Sequence, residues 1–99
     1  MYKNLDPLLH SQLRLAIISI LASVEEAEFR YIQEKTDATA GNLSVQLNKL
    51  KEAEYIDIKK QFKGNYPQTT CRITEKGTRK FQEYIAALKE YIEPGNNRA

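Results

Sequence analysis

The residues best suited to chemistry carry amide, hydroxyl and amino groups and lie in the segment 39–49. If this segment is a helix with Leu43, Leu47 and Leu50 inward, steps of about 100° per residue define its outward face. That face, its edge and its N-cap comprise Thr39, Gly41, Asn42, Ser44, Val45, Gln46, Asn48 and Lys49. Asn and Gln can bind adenine edges, Ser can bind several bases, and Val can contact a thymine methyl. No acidic residue occurs on the face before Glu52, which favours a polyanionic ligand over an ordinary solvated helix face.

Positive charge concentrates further along the chain. Residues 1–58 have six Lys or Arg against nine Asp or Glu, a net of −3, whereas residues 59–99 have nine against four, a net of +5. Within 59–80 the count is seven basic residues against one acidic residue. A cluster of this kind is typical of contact with a phosphate backbone. The residues expected on or beside the tip of a β-hairpin there are Lys59, Lys60, Lys63, Asn65 and Arg72. The alternatives are a solvated basic face and a charged edge that prevents strand aggregation.

The sequence offers little for catalysis or for a cofactor. His10 and Cys71 are its only His and Cys, and a metal site needs three or four ligands. No nucleophile–base pair, phosphate-binding loop or pair of carboxylates stands out, so we expect neither an enzyme nor a cofactor. Cys71 alternates with Ile73, which predicts a buried thiol, with redox sensing as the alternative. We expect His10 on the surface or in an interface.

Apolar periodicity predicts the elements that position these groups. Asp6 and Pro7 favour a helix start, and Thr39 and Thr74 are candidate N-caps. In chain order, the predicted elements are helices over about 8–23, 25–35 and 40–53, strands over 55–61 and 69–73, and a last helix to about 92. One or two β-residues near Ala27 are expected to add a third strand. The predicted fold is mainly α with a small β-hairpin, a winged helix-turn-helix over 1–93, followed by a disordered tail over 94–99.

The first helix has two apolar faces, whereas a surface helix of a monomer needs one. Its expected core face is Leu9, Leu13, Ala16, Ile17, Ile20, Leu21 and Val24. The last helix is expected to bury the stripe Phe81, Ile85, Leu88 and Ile92, with Tyr84 and Tyr91 beside it. Pairing of both helices with a second copy predicts a homodimer whose interface comprises Leu8, Leu15, Ile18, Ala22, Tyr84, Leu88 and Tyr91. The alternative is that the second face packs on the last helix of the same chain.

Three stretches resemble a known family. The opening Leu5–His10 with Arg14 and Leu15 looks like that of small MarR-like winged-helix regulators. Two further stretches resemble the same family: Thr39–Ser44, followed by Leu47 and Leu50–Ala53, and the strand-to-helix junction Thr69–Gly77. The resemblance covers roughly residues 5–92 and implies a transcriptional regulator, dimerising through its first and last helices, with the helix from Thr39 to Ala53 reading DNA. The chain departs from the family at Glu54, where Gly is usual, and at Cys71, where an aromatic residue is common.

Together these features predict sequence-specific binding of double-stranded DNA by a homodimeric, cytoplasmic transcriptional regulator. The helix 39–53 would enter the major groove, and the wing 59–72 would lie on the backbone or in the minor groove. No signal peptide or membrane span is visible, and the sequence does not identify a small-molecule effector. The alternative is a winged-helix protein–protein interaction module without DNA specificity. An RNA-binding module is disfavoured because it needs exposed aromatic residues on a sheet.

Overall fold

The computed structural model describes residues 2–93. Its elements are α1 (Gln12–Ala22), β1 (Ala27–Glu28), α2 (Phe29–Thr36), α3 (Ala40–Glu52), β2 (Ile56–Lys63), β3 (Tyr66–Ile73) and α4 (Glu75–Ile92). The strands form one antiparallel sheet in the order β1-β3-β2. The winged helix-turn-helix predicted from the sequence is confirmed, including the third strand at Ala27. The expected disordered tail over 94–99 lies outside the described residues.

One core joins the helices to the sheet. It contains Ile17 and Leu21 of α1, Ile32 of α2, the three inward leucines of α3, and Ile56 and Cys71 of the sheet. Leu43, Leu47 and Leu50 are at most 2% exposed, as their spacing predicts. Burying one such side chain contributes about 1.5–3 kcal/mol. This burial fixes the rotation of α3 about its axis, and with it the set of side chains that α3 presents to solvent.

Both N-terminal helices begin later than predicted. Asp6 caps only one turn, with its Oδ1 accepting from the Leu8 amide at 2.9 Å and its carbonyl accepting from the His10 amide at 2.8 Å. Ser11 then has an extended backbone, with φ −151°, so α1 starts at Gln12. Residues 27 and 28 pair with Cys71 and Thr70 of β3, which delays α2 until Phe29.

The hairpin is longer than predicted, because β3 already pairs with β2 at Tyr66 and Pro67. Lys63 pairs with Tyr66 across a two-residue turn in which Gly64 has φ +65°, a conformation that glycine adopts without strain. Hydrogen-bonded and non-hydrogen-bonded pairs alternate along an antiparallel ladder. The pair after the turn, Phe62 with Pro67, therefore needs no amide hydrogen from proline, and the proline ends neither strand.

The junction between α3 and α4 is tightly bonded. The amides of Glu54 and Tyr55 donate to the carbonyls of Lys51 and Leu50, both at 2.9 Å, which is the Schellman pattern. Glu54 has φ +66°, so the helix ends as the family's usual glycine would end it, but with a residue that this conformation strains. Thr74 Oγ1 accepts from the Gly77 amide at 2.9 Å and donates to the Glu54 carbonyl at 2.7 Å, which confirms Thr74 as the cap of α4.

Several predicted faces of the first and last helices are wrong. Ile18, expected in the dimer interface, is 0% exposed within its own chain, and Tyr84, also expected there, is 3% exposed. Conversely Val24, expected in the core, is 39% exposed, and Ile92 is 66% exposed. On α4 the core-facing residues are Gly77, Tyr84 and Ala87. The predicted core stripe Phe81–Ile92 lies about a quarter of a turn away and is only partly covered.

Candidate nucleic-acid interface

The first turn of α3 is a well-capped, polar helix start. Thr39 Oγ1 accepts from the Asn42 amide at 3.1 Å, so the predicted N-cap is confirmed. All of the outward residues predicted on α3 are exposed except Gln46, which is half-buried at the edge: Thr39, Gly41, Asn42, Ser44, Val45, Asn48 and Lys49. The burial pattern thus places the predicted reading residues together on one accessible face.

A cleft separates α3 from the wing, the hairpin of β2 and β3. It has a volume of about 350 Å³, and its lining includes Ser44, Asn48 and Lys51 of α3 and Lys60 of the wing. Lys51 was not among the predicted site residues, because the sequence does not show on which side of α3 the wing packs. Within residues 2–93, no carboxylate forms an ion pair with either lysine. Two ammonium groups that have no carboxylate partner among these residues therefore border the exposed polar face of α3.

The two faces of the wing carry different basic residues. Side chains alternate along a strand, so Lys60 lies on the face towards α3, while Lys59 and Lys63 lie on the other face. The placement of Arg72 beside the tip is wrong. It pairs with Asp57, six positions before Lys63, which at about 3.3 Å per residue is about 20 Å from the tip. Arg72 instead lines a recess with Glu26 and Asp57 on the far side of the sheet.

Two aromatic residues at the wing tip were missed by the sequence reasoning. Phe62 is 76% exposed and Tyr66 is 74% exposed, and they flank the Gly64-Asn65 turn. Phe62 shares the face of Lys60, and Tyr66 is paired with Lys63. The strand alternation could have revealed them, because Phe62 continues the inward phase of Ile56 and Ile58 beyond the end of the core. The tip therefore combines positive charge with apolar surface.

The other flank of α3 is bonded to α1. Arg14 donates from Nε to the Leu8 carbonyl and from Nη1 to Gln46 Oε1, both at 2.6 Å. Gln46 Nε2 donates to Asn42 Oδ1 at 3.1 Å. Gln46 and Asn42 were predicted as DNA-contacting residues, but Arg14 was not, since it lies 32 positions before Gln46 in the chain.

The N-terminal segment covers the tyrosines of α4. Tyr84 OH lies 3.0 Å from His10 Nδ1, and Tyr91 OH donates to the Lys3 carbonyl at 2.8 Å. The Tyr91 ring also packs against the tilted ring of Tyr2, with centroids 4.8 Å apart. These contacts occupy both tyrosines that were expected to contact a second chain, although Tyr91 remains 45% exposed.

An apolar stripe on α4 remains accessible instead. Phe81, Ile85 and Leu88 pack only partly against the core, and Ile92 continues the stripe at the end of the helix. On α1, Leu13, Ala16 and Ile20 are likewise half-buried. Of the remaining predicted interface residues, Leu8 and Leu15 are half-buried and Ala22 is exposed. Both helices therefore carry apolar surface that stays partly exposed to solvent in a single chain.

The remaining chemistry-bearing groups are structural. Burial raises the pKa of the Cys71 thiol to about 11, which keeps it protonated near neutral pH and disfavours redox sensing. Burial, and then the hydrogen bond to Asp6 at 2.5 Å, raise the pKa of the Tyr55 phenol above its ordinary value. Between residues 2 and 93 no three His, Cys, Asp or Glu side chains come together as a possible metal site. None of the described helices is both long and apolar enough for a membrane span.

Comparison with known proteins agrees with this architecture. Residues 13–92 match the family described as a winged helix DNA-binding domain. An uncharacterized protein of Methanocaldococcus jannaschii is 37% identical over 76 residues, which cover 77% of this chain and 83% of that protein. A transcriptional regulator homologue from Pyrococcus horikoshii OT3 has a similar structure, with a TM-score of 0.82 and 27% identity, covering 92% of this chain and 89% of the other.

A further solved structure shows the same fold at lower identity. Bacillus subtilis PadR, determined in complex with operator DNA, has a TM-score of 0.67 and 17% identity, over 76% of this chain and 47% of the other. The resemblance to winged-helix transcriptional regulators drawn from the sequence is confirmed by the family match together with the Pyrococcus structure. The family is one of DNA-binding domains and not of enzymes, in agreement with the sequence prediction.

Proposed function

The chain belongs to the family of winged helix DNA-binding domains, and from this premise we propose that it is a sequence-specific transcriptional regulator that binds double-stranded DNA as a homodimer. Helix α3 lies in the major groove, and the wing contacts the backbone or the minor groove. The observation that carries the proposal is the exposed, amide-rich face of α3 beside Lys51 and Lys60, with which no carboxylate of residues 2–93 forms an ion pair. A DNA ligand also accords with the expected cytoplasmic location.

Chemistry supports a division of labour between α3 and the wing. Asn42, Ser44 and Asn48 can form hydrogen bonds with base edges, which carry sequence information. Lys60 and Lys63 can contact phosphates, which fix register and add affinity without specificity. Phe62 adds an apolar group at the tip, of the kind that contacts sugars and base steps in minor-groove binders. Arg72 has no part in this arrangement, because it lies at the base of the wing opposite Asp57.

The apolar stripe on α4 supports dimerisation. Phe81, Ile85, Leu88 and Ile92 share one side of the helix, and leaving them in water costs about 25 cal/mol for each Å². A two-fold axis that pairs this stripe and the half-buried residues of α1 with their mates would bury both surfaces. It would also hold two copies of α3 at a fixed spacing, so we expect an inverted-repeat operator with half-sites about 34 Å apart.

Selection of bound sequences from a random DNA pool tests the function. The proposal expects an enriched inverted repeat and an affinity that falls steeply with salt, because bound phosphates release counterions. Binding that shows neither sequence preference nor salt dependence would contradict it and favour a protein–protein interaction module.

Sedimentation at micromolar concentration tests the dimer. We expect twice the 11.4 kDa chain mass for the wild type. The double variant Ile85→Glu with Ile92→Glu should sediment as a folded monomer that binds a half-site poorly, because two carboxylates would be buried in the interface. Val24→Glu is the matched control, since Val24 is exposed and lies off the stripe. A wild-type mass of one chain with DNA binding intact would refute the dimer.

A further inference from the structure

Three side chains connect α1 to the exposed first turn of α3. Arg14 is anchored by its Nε on the Leu8 carbonyl and reaches Gln46 Oε1 with Nη1. Gln46 in turn donates from Nε2 to Asn42 Oδ1. Arg14 and Gln46 are half-buried and Asn42 is exposed, so the relay runs from the packed side of α3 to its accessible face. We call Arg14, Gln46 and Asn42 the amide relay.

The donors and acceptors that the three side chains carry fix the direction of the hydrogen bonds in the amide relay. A guanidinium has only donors, so the Gln46 atom facing Arg14 must be the oxygen, and the Gln46 NH₂ group points the other way. An NH₂ group only donates, so the Asn42 atom that receives it must be Oδ1. Asn42 is therefore held with its oxygen turned along the helix towards Gln46, and its Nδ2 hydrogens have no acceptor among residues 2–93.

Two effects favour this orientation over the flipped amide. The bond from Arg14 is charge-assisted, and such bonds are roughly twice as strong as neutral ones. Consecutive hydrogen bonds also polarise each other, so the first bond strengthens the second. Flipping Gln46 would put its NH₂ group against the guanidinium, donor against donor. Asn42 can flip freely only after Gln46 has stopped donating to it.

We propose that Arg14 and Gln46 are positioning residues that present Asn42 to DNA as a hydrogen-bond donor, so that Asn42 selects guanine over adenine. The inference rests on the proposed placement of α3 in the major groove. Guanine offers two adjacent acceptors there, N7 and O6, whereas adenine offers the N7 acceptor beside the N6 donor. A bidentate contact with adenine needs the oxygen and the NH₂ group of Asn side by side, and the amide relay turns the oxygen away.

The test compares base preferences, which a loss of overall affinity does not alter. Selection with the wild type and with Asn42→Ala first identifies the base position that Asn42 reads. Gln46→Glu then breaks the relay at one bond, because a carboxylate still accepts from Arg14 but cannot donate to Asn42. We expect the guanine-to-adenine ratio at that position to fall about tenfold, within the range of a good bidentate contact.

Two further variants separate positioning from a general effect. Arg14→Met removes the guanidinium but keeps an unbranched apolar side chain, and should lower the same ratio. Gln82→Glu makes the same chemical change as Gln46→Glu at an exposed position of α4, away from α3, and should leave the ratio unchanged. The amide relay exists without DNA, so Gln46→Glu should also shift the side-chain ¹⁵N resonance of Asn42 in the free protein.

The possible results separate a failure of the amide relay from a failure of the proposed function. A Gln46→Glu variant that keeps the wild-type guanine-to-adenine ratio, or an unshifted Asn42 resonance, overturns the relay and leaves the proposed function standing. If Asn42→Ala changes the preference at no position, Asn42 reads no base and the relay has no role in recognition. Wild-type protein that selects no sequence at all would overturn the proposed function, and this inference with it.

Discussion

The two ends of α3 are built for different purposes. At its N-terminal end, Thr39 caps the helix and Asn42 is exposed. At its C-terminal end, Glu54 is held at φ +66°, and Gly77 packs so closely that an added Cβ would lie 2.1 Å from the Tyr55 carbonyl oxygen. The N-terminal end thus leaves the Nδ2 hydrogens of Asn42 for a ligand, while the C-terminal end uses its hydrogen bonds to fix the angle between α3 and α4. Substitutions at the first should change binding, and substitutions at the second should change folding.

The largest expected effect is at Gly77. Gly77→Ala forces a methyl group against the backbone of Tyr55, which cannot move without breaking the Schellman bonds. We expect the free energy of unfolding to fall by about 3 kcal/mol, the upper end of overpacking effects, out of about 5–15 kcal/mol for a domain of this kind. Urea denaturation measures it.

Gly41→Ala is the matched control at the opposite end of α3. A Cβ there meets nothing within 4 Å, and Ala is the better helix former, so stability should rise by about 0.5 kcal/mol. Equal losses of stability at the two glycines would remove the distinction between the two ends of the helix.

Alanine substitutions on the exposed face of α3 should change DNA binding and leave stability nearly unchanged. Asn42→Ala, Ser44→Ala and Asn48→Ala should each reduce discrimination between operator and non-operator DNA by about 1–3 kcal/mol where the side chain reads a base. Thermal melting should change little, because all three positions are exposed. Quantitative binding to a sequence panel measures the change. Unaltered preference in all three variants would exclude this face as the reader.

The wing contributes a smaller effect that does not depend on sequence. Lys60→Ala with Lys63→Ala should weaken binding to every sequence and flatten the plot of log affinity against log salt by about two units for each wing that contacts DNA. Arg72→Ala removes one positive charge about 20 Å from the tip and should leave that slope unchanged. A slope that responds to Arg72 and not to the two lysines would place the DNA contact at the base of the wing instead of at its tip.

The sequence predicted the features that depend on local spacing. The bounds of α3, its three buried leucines and its Thr39 cap follow from helical periodicity and N-cap chemistry. Features that depend on distant partners were not predictable. Ile18 and the α4 stripe both show helical periodicity, but spacing does not reveal which of two apolar faces meets the core. The contact between Arg14 and Gln46 likewise leaves no local signal.

Local sequence signals gave wrong predictions where the same residue type occurs in two kinds of structure. Asp6 and Pro7 form a good helix start, yet here they cap one isolated turn. Pro67 is unusual within a strand, yet its place in the ladder needs no amide hydrogen. Arg72 was placed at the tip because charge counts do not fix hairpin register. For Pro67 and Arg72 the missing information was the register of the hairpin, which pairs Phe62 with Pro67 and Asp57 with Arg72.

A small predicted effect tests the backbone strain at Glu54, at the C-terminal end of α3. Glu54 adopts a left-handed conformation that costs a non-glycine residue about 1–2 kcal/mol. Glycine avoids this cost, but it also raises the entropy of the unfolded chain, which offsets part of the stabilisation. Glu54→Gly should therefore raise the free energy of unfolding by about 0.5–1 kcal/mol, measured by urea denaturation. Its own backbone bonds to Lys51 and Thr74 are retained. Glu52→Gly removes the same charge two residues earlier, at the last residue of the helix, and should lower stability by about 0.5 kcal/mol. Opposite signs at these two glutamates would show that the C-terminal end of α3 keeps its geometry against local preference, whereas a loss at both would mean that Glu54 is not strained.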